Sequence, residues 1–142
     1  MKPVSIEKMV ILIVDDDPEI RTIVKNYMIH FGFKTFIEAK DGAEAYRFVL
    51  DTIQRIDLII SDWEMPLTDG LALLRAVRKH TLRGETPFIM VTSQQSQERL
   101  KISNAKKHQV DCYIIKPFRA EVLKEKVWQA LKMHDQARKE AA

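Results

Sequence analysis

Five residues scattered along the chain carry side chains that could do chemistry as a group: Asp15, Asp16, Asp62, Thr92 and Lys116. Each stands at the end of a short apolar run. Val10-Ile11-Leu12-Ile13-Val14 precedes the Asp15-Asp16 pair, Leu58-Ile59-Ile60-Ser61 precedes Asp62, Phe88-Ile89-Met90-Val91 precedes Thr92, and Tyr113-Ile114-Ile115 precedes Lys116. If those runs are strands pointing the same way, their last residues share one sheet edge. Three carboxylates crowded there would repel and raise one another's pKa. A hard divalent ion such as Mg²⁺ relieves the repulsion: it takes oxygen ligands, uses one or two carboxylates and keeps several waters. No Cys or His belongs to the set, which argues against zinc and softer metals. With such an ion beside it, Asp62 could attack a phosphoryl donor and form an aspartyl phosphate. It needs no general base, because a carboxylate is already ionised at neutral pH. The Lys116 ammonium and the Thr92 hydroxyl suit the remaining task, stabilising charge on the equatorial phosphoryl oxygens.

The elements that must position these residues follow from the spacing of apolar side chains. Runs of branched residues without alternation read as strands covered on both faces, as in a parallel sheet. Asp17-Pro18 reads as a helix N-cap and first residue, and Ile20, Ile23, Val24, Tyr27, Met28 and Phe31 recur at helical spacing up to Gly32. Lys34 to Glu38 is a short second strand, which should lie toward the sheet margin. Asp41-Gly42 is a turn, and Ala43, Tyr46, Val49, Leu50 and Ile53 form a second helical stripe. Pro66 blocks continuation of the third strand and makes the segment after Asp62 a shaped loop. Thr68-Asp69-Gly70 then leads into a helix bearing Leu71, Leu74 and Val77. Residues 94–108 hold only Leu100, Ile102 and Ala105 as apolar candidates, so a fourth helix there should be the least firmly held. Leu123, Val127, Ala130, Leu131 and His134 define a final helix to about Arg138, with Gln136 to Ala142 fraying. Alternating strands and helices predict an α/β fold, a three-layer sandwich with helices on both faces of a parallel sheet.

Composition narrows the function classes. A chain of 142 residues with 46% hydrophobic and 30% charged residues suits one globular domain and is not disordered. Its apolar runs fall far short of the ~20 residues of a membrane span, and the N-terminus lacks an export signal. The cytoplasm is the expected compartment. The formal charge of +3 is small beside 20 acidic residues, and no nucleic-acid-binding signature accompanies it. The basic clusters Arg99 to His108 and Lys124 to Lys139 read as solvated helix faces. Cys112 cannot form an internal disulfide and reads as a small buried residue at a strand start.

The motifs Val14-Asp15-Asp16, Ser61-Asp62-Trp63-Glu64-Met65-Pro66 with Asp69-Gly70, Met90-Val91-Thr92-Ser93 and Tyr113-Ile114-Ile115-Lys116-Pro117-Phe118 resemble those of response-regulator receiver domains. In length and layout the chain is similar to the single-domain, CheY-like chemotaxis regulators, and the resemblance spans about Met9 to Leu131. It implies a flavodoxin-like sheet of order 2-1-3-4-5 with five helices, in a single receiver domain over residues 1–142. It further implies that Asp62 is the phosphoacceptor, that Asp15, Asp16, Asp62 and the Glu64 backbone carbonyl serve Mg²⁺, and that Thr92 and Tyr113 form a switch. That switch would couple the site to a face made by the fourth helix, fifth strand and fifth helix. A histidine kinase is the implied phosphoryl source. The implied target is a flagellar motor switch protein or another signalling protein, with neither nucleic acid nor membrane as partner. One departure stands out: Gln109-Val110 occupies the place of a usual Gly-Ala pair, so the chain there needs another helix ending or a strained residue.

Blander readings accompany several of these residues. Asp17 reads as a cap only. Trp63 is expected as a partly exposed neighbour of the site. Glu64 and Gln94 flank the site and either tune water attack on the acyl phosphate or are simply solvated. His30, His80, His108 and His134 are scattered, so none is a relay histidine. The module is expected to be a phosphoacceptor rather than an enzyme. The alternatives are a small Mg²⁺-dependent phosphotransferase or phosphatase, with Glu64 as its second carboxylate, and a scaffold with a vestigial site.

Overall fold

The computed structural model describes residues 5–93 and 109–141, with side chains of the last helix described up to Lys132. Strands β1 (Val10–Val14), β2 (Thr35–Ala39), β3 (Leu58–Asp62), β4 (Phe88–Thr92) and β5 (Cys112–Ile115) form one sheet of order 2-1-3-4-5 with every neighbouring pair parallel. Helices α1 (Pro18–His30), α2 (Gly42–Leu50) and α3 (Gly70–Lys79) and a C-terminal helix (Ala120–Ala141) cover it. The fold is therefore the expected flavodoxin-like α/β sandwich. Four α-helices lie among the described residues, against five expected. The fifth, with Leu100, Ile102, Ala105, the Arg99 to His108 basic cluster and Gln94, falls in residues 94–108, outside the described residues.

Successive side chains of a strand point to opposite faces, so a strand covered on both sides must be apolar at every position. β1 meets that demand. Ile11 and Ile13 enter a core shared with Val24 and Met28 of α1 and Leu123, Val127 and Ala130 of the C-terminal helix. Leu12 and Val14 enter a second core shared with Ala45 and Val49 of α2 and Leu73, Leu74 and Val77 of α3. β4 divides in the same way, with Ile89 and Val91 in the first core and Phe88 and Met90 in the second. Cys112 is buried at the start of β5, as its position predicts.

Several expectations are corrected. α2 presents Gly42, Ala45 and Val49 inward, while Tyr46, Leu50 and Ile53 are exposed, so the stripe Ala43, Tyr46, Val49, Leu50, Ile53 was mis-phased except at Val49. Asp41-Gly42 is the helix start rather than a separate turn: the Asp41 side chain accepts from the Glu44 N–H at 2.8 Å. Ile23 of α1 is likewise exposed. β2 runs one residue later than expected, and the C-terminal helix continues through Ala141 without fraying at Gln136.

Two arginines, Arg83 buried and Arg78 half-buried, hold the connections. Arg83 donates to the carbonyls of Val49, Phe48, Asp51 and Gln54, satisfying acceptors left over at the end of α2. Arg78 donates to the carbonyls of Gln109, Gly84 and Thr86 and pairs with Asp111 at 3.1 Å. Gln109 has a φ of 63°, the strained left-handed conformation anticipated where the glycine is missing.

Candidate functional site

Strand register explains why chain-distant residues meet. Val14 lies opposite Ser61 and Asp62 opposite Val91, so the next residue after β1, Asp15, comes level with Asp62. Thr92 lies opposite Ile115, which sets Lys116 one step beyond it at the same edge. The backbone fixes these positions independently of the side chains: Asp15 N–H donates to Ala39, Trp63 N–H to Val91 and Lys116 N–H to Thr92, at 3.1, 2.8 and 2.8 Å. On the opposite side of Asp62 the chain is pinned by Gly70. A Cβ there would stand 2.4 Å from the Asp62 carbonyl oxygen and 3.0 Å from Trp63 Cα, so only glycine fits. Asp69 caps α3 just before it, accepting from the Ala72 N–H at 2.8 Å.

Asp15 and Asp62 are buried and Asp16 is exposed; one carboxylate oxygen from each lies within 4.8 Å of the others. Lys116 Nζ stands 3.0 Å from Asp15 Oδ2 and 3.3 Å from Asp62 Oδ1. Only the first of these contacts has hydrogen-bond geometry, so the buried Asp62 Oδ1 has an ionic neighbour but no hydrogen-bond donor. Burial raises the Asp62 pKa, Lys116 lowers it, and the charges of Asp15 and Glu64 raise it again. The outcome is a rise from 3.8 to about 7. Burial by itself would depress the Lys116 ammonium. Its hydrogen bond to Asp15 and the charge of Asp62 outweigh that and hold it above its ordinary value. An orphaned buried carboxylate oxygen beside two further carboxylates, with only oxygen donors in the group, fits a hard divalent cation.

Thr92 is buried, and its hydroxyl donates to Glu64 Oε1 at 2.7 Å, with the Ser93 N–H near Glu64 Oε2 at 3.5 Å. The Glu64 carboxylate is thus turned to the end of β4 and is not part of the Asp15-Asp16-Asp62 group. Tyr113 is half-buried against the second core. Trp63 is corrected: it is 6% exposed and lies in the second core with Leu12, Val14 and Met90. Asp17 caps α1, accepting from the Glu19 N–H at 2.9 Å. Arg21 had not been singled out. It donates to the Asp15 carbonyl at 2.6 Å and to Glu38 at 3.2 Å, bracing the acidic loop from behind. No pattern of spacing marks it, because the partner that ties it to the acidic loop is a backbone oxygen.

A parallel 2-1-3-4-5 sheet with acidic residues, a hydroxyl and a lysine at its carboxyl edge defines a phosphoryl-transfer signalling module, and the response regulator receiver domain matches residues 11–128. The chain belongs to that family. It is 37% identical over 127 residues to the chemotaxis protein CheY1 of Helicobacter pylori, covering 89% of this chain and 100% of that protein. It is 40% identical over 119 residues to the chemotaxis protein CheY of Pseudomonas aeruginosa, covering 84% and 93%. The structure of the chemotaxis response regulator CheY4 of Vibrio cholerae aligns with a TM-score of 0.76 at 32% identity, over 87% of this chain and 98% of that one. No helix among the described residues is long and apolar enough to cross a membrane.

Proposed function

We propose that Asp62 accepts a phosphoryl group from the phosphohistidine of a histidine kinase, and that the chain then engages a target protein. One observation carries this reading: Asp62 Oδ1 is buried, lacks a hydrogen-bond donor and has an ammonium 3.3 Å away. A carboxylate oxygen without donors keeps its lone pairs available for attack. The Asp62 oxygen attacks phosphorus, the P–N bond to imidazole breaks, and the electron pair leaves with the imidazole, which takes up a proton. Asp15, Asp16 and Asp62, with the Glu64 backbone carbonyl, would hold Mg²⁺. When bound, Mg²⁺ supplies positive charge to the phosphoryl oxygens and offsets repulsion among the carboxylates.

Lys116 then pairs with a phosphoryl oxygen, and Thr92 donates its hydroxyl to another. Tyr113, half-buried on β5, turns inward as Thr92 moves, and the change is read by a partner at the face around β5 and the C-terminal helix. Similarity to chemotaxis proteins favours a flagellar motor switch protein as that partner, with other signalling proteins as the second choice. The module is consumed and reset once per signal rather than turning over a substrate. Phosphomonoesterase chemistry would require Glu64 as a proton donor or acceptor for substrate, and its Oε1 is engaged by Thr92 at 2.7 Å.

The test is incubation with Mg²⁺ and acetyl phosphate, followed by intact-mass and peptide mass spectrometry. A single phosphoryl adduct on Asp62 is expected, lost in Asp62→Asn and in EDTA. An unmodified wild-type protein, or an adduct elsewhere, would refute the assignment.

A further inference from the structure

The Glu64 carboxylate and the Thr92 hydroxyl form a contact that acceptor chemistry alone does not require. Thr92 is 2% exposed, and its Oγ1 lies 2.7 Å from Glu64 Oε1. A threonine hydroxyl has one proton to donate, and a bond to a carboxylate is charge-assisted and stronger than a neutral one. That single proton is committed to Glu64. It cannot serve a phosphoryl oxygen on Asp62 at the same time, so the bond to Glu64 must break first.

We infer that Glu64 is a positioning residue that latches the Thr92 hydroxyl in the unphosphorylated state and thereby sets how strongly the protein resists switching. The inference rests on the acceptor reading of Asp62. Two features of the structure favour a latch over an incidental contact. Glu64 follows Asp62 by two residues and comes directly after Trp63, whose N–H donates to Val91 and whose Cα lies against Gly70, so the chain enters Glu64 from a fixed point. The Ser93 N–H, 3.5 Å from Glu64 Oε2, sets a second donor of the same strand end toward the carboxylate.

Glu64 could oppose an anion at Asp62 in another way, through its charge alone, and a double-mutant cycle separates the two. Beryllofluoride with Mg²⁺ is titrated calorimetrically into wild type, Glu64→Ala, Thr92→Val and the double variant, each first checked for an unchanged urea midpoint. Breaking a charge-assisted hydrogen bond predicts about tenfold tighter binding by Glu64→Ala. In the Thr92→Val background the same replacement should change affinity less than about twofold, because no hydroxyl remains to be released. Glu64→Gln, which keeps an acceptor oxygen, should fall between wild type and Glu64→Ala. In ligand-free protein the Thr92 methyl resonance should move in Glu64→Ala. An equal gain in both backgrounds, or wild-type affinity in Glu64→Ala, overturns the latch while leaving the acceptor reading intact. Failure of wild type to bind overturns both.

Discussion

Replacing Asp62 by asparagine should stabilise the metal-free protein. The Asp62 carboxyl is raised from 3.8 to about 7, chiefly by burial, with Asp15 and Glu64 adding to the rise and Lys116 opposing it. Between those two pH values the native state binds a proton that the unfolded chain releases, so stability falls as pH climbs through this window and levels off above about 7. At about 1.4 kcal/mol for each tenfold change in proton affinity, the full penalty is at most about 4 kcal/mol. Relaxation and water at the open sheet edge reduce it to about 2 kcal/mol. For a chain of this size each kcal/mol moves Tm by about 2–4 °C, so Asp62→Asn should melt about 4–8 °C higher at pH 7.5 in EDTA. The gap should shrink at pH 5, where wild-type Asp62 is protonated in the native state, and Mg²⁺ should narrow it by stabilising wild type more. Differential scanning calorimetry across this pH range measures it, with the exposed Asp16→Asn as the control for loss of a carboxylate. An Asp62→Asn melting point at or below wild type at pH 7.5, or a gap independent of pH, would refute the argument.

Two further outcomes test the frame around the site. Arg83→Met should cost about 2–4 kcal/mol by urea denaturation, because the buried carbonyl of Val49 and the part-buried ones of Phe48, Asp51 and Gln54 lose their donor together, while acetyl phosphate labelling of the folded protein stays unchanged. Gln109→Gly should raise stability by about 0.5–1 kcal/mol, since it relieves a side chain held at a φ of 63°; a loss of stability would mean that the residue is not strained.

What was legible in the sequence follows from what each element must bury. β1, β3 and β4 read correctly because both their faces are covered, so the runs stay apolar almost to the edge, with the buried Ser61 of β3 the one polar residue before it. The residues that end the runs are therefore the ones gathered at that edge, and Asp15, Asp62, Thr92 and Lys116 could be named without coordinates. α2 was mis-phased because it packs through small residues, Gly42 and Ala45, and leaves Tyr46 and Leu50 to solvent. An apolar count gives weight to the wrong positions. Trp63 looked exposed because it follows Asp62 at the strand end, but its N–H continues the pairing to Val91 and its ring drops into the second core. Arg83, Arg78 and Arg21 were invisible for a common reason: their main partners are backbone carbonyls, which carry no sequence signature. The Glu64 to Thr92 bond depends on the path of a loop and two rotamers, and spacing specifies neither.

Three carboxylates that repel one another, with a single ammonium among them, are held together here by elements that gain a great deal elsewhere. Asp62 could escape Asp15 only by breaking β3 from β1 and β4, whose register fixes both residues at one edge. Each fully buried Leu, Ile or Phe contributes about 1.5–3 kcal/mol relative to exposure. Leu12, Ile13, Leu58, Ile59, Phe88 and Ile89, all at most 1% exposed, together outweigh a penalty of about 2–4 kcal/mol at Asp62 several times over. The sheet therefore tolerates a carboxylate with one buried oxygen lacking a hydrogen-bond donor instead of rearranging to solvate it. Lys116 sits closer to Asp15 than to Asp62, at 3.0 against 3.3 Å, so the remaining imbalance falls on the Asp62 oxygen. On the proposed reading that imbalance is the function. An oxygen satisfied by donors would lower the cost to the fold and also remove the lone pair that the phosphoryl group must meet.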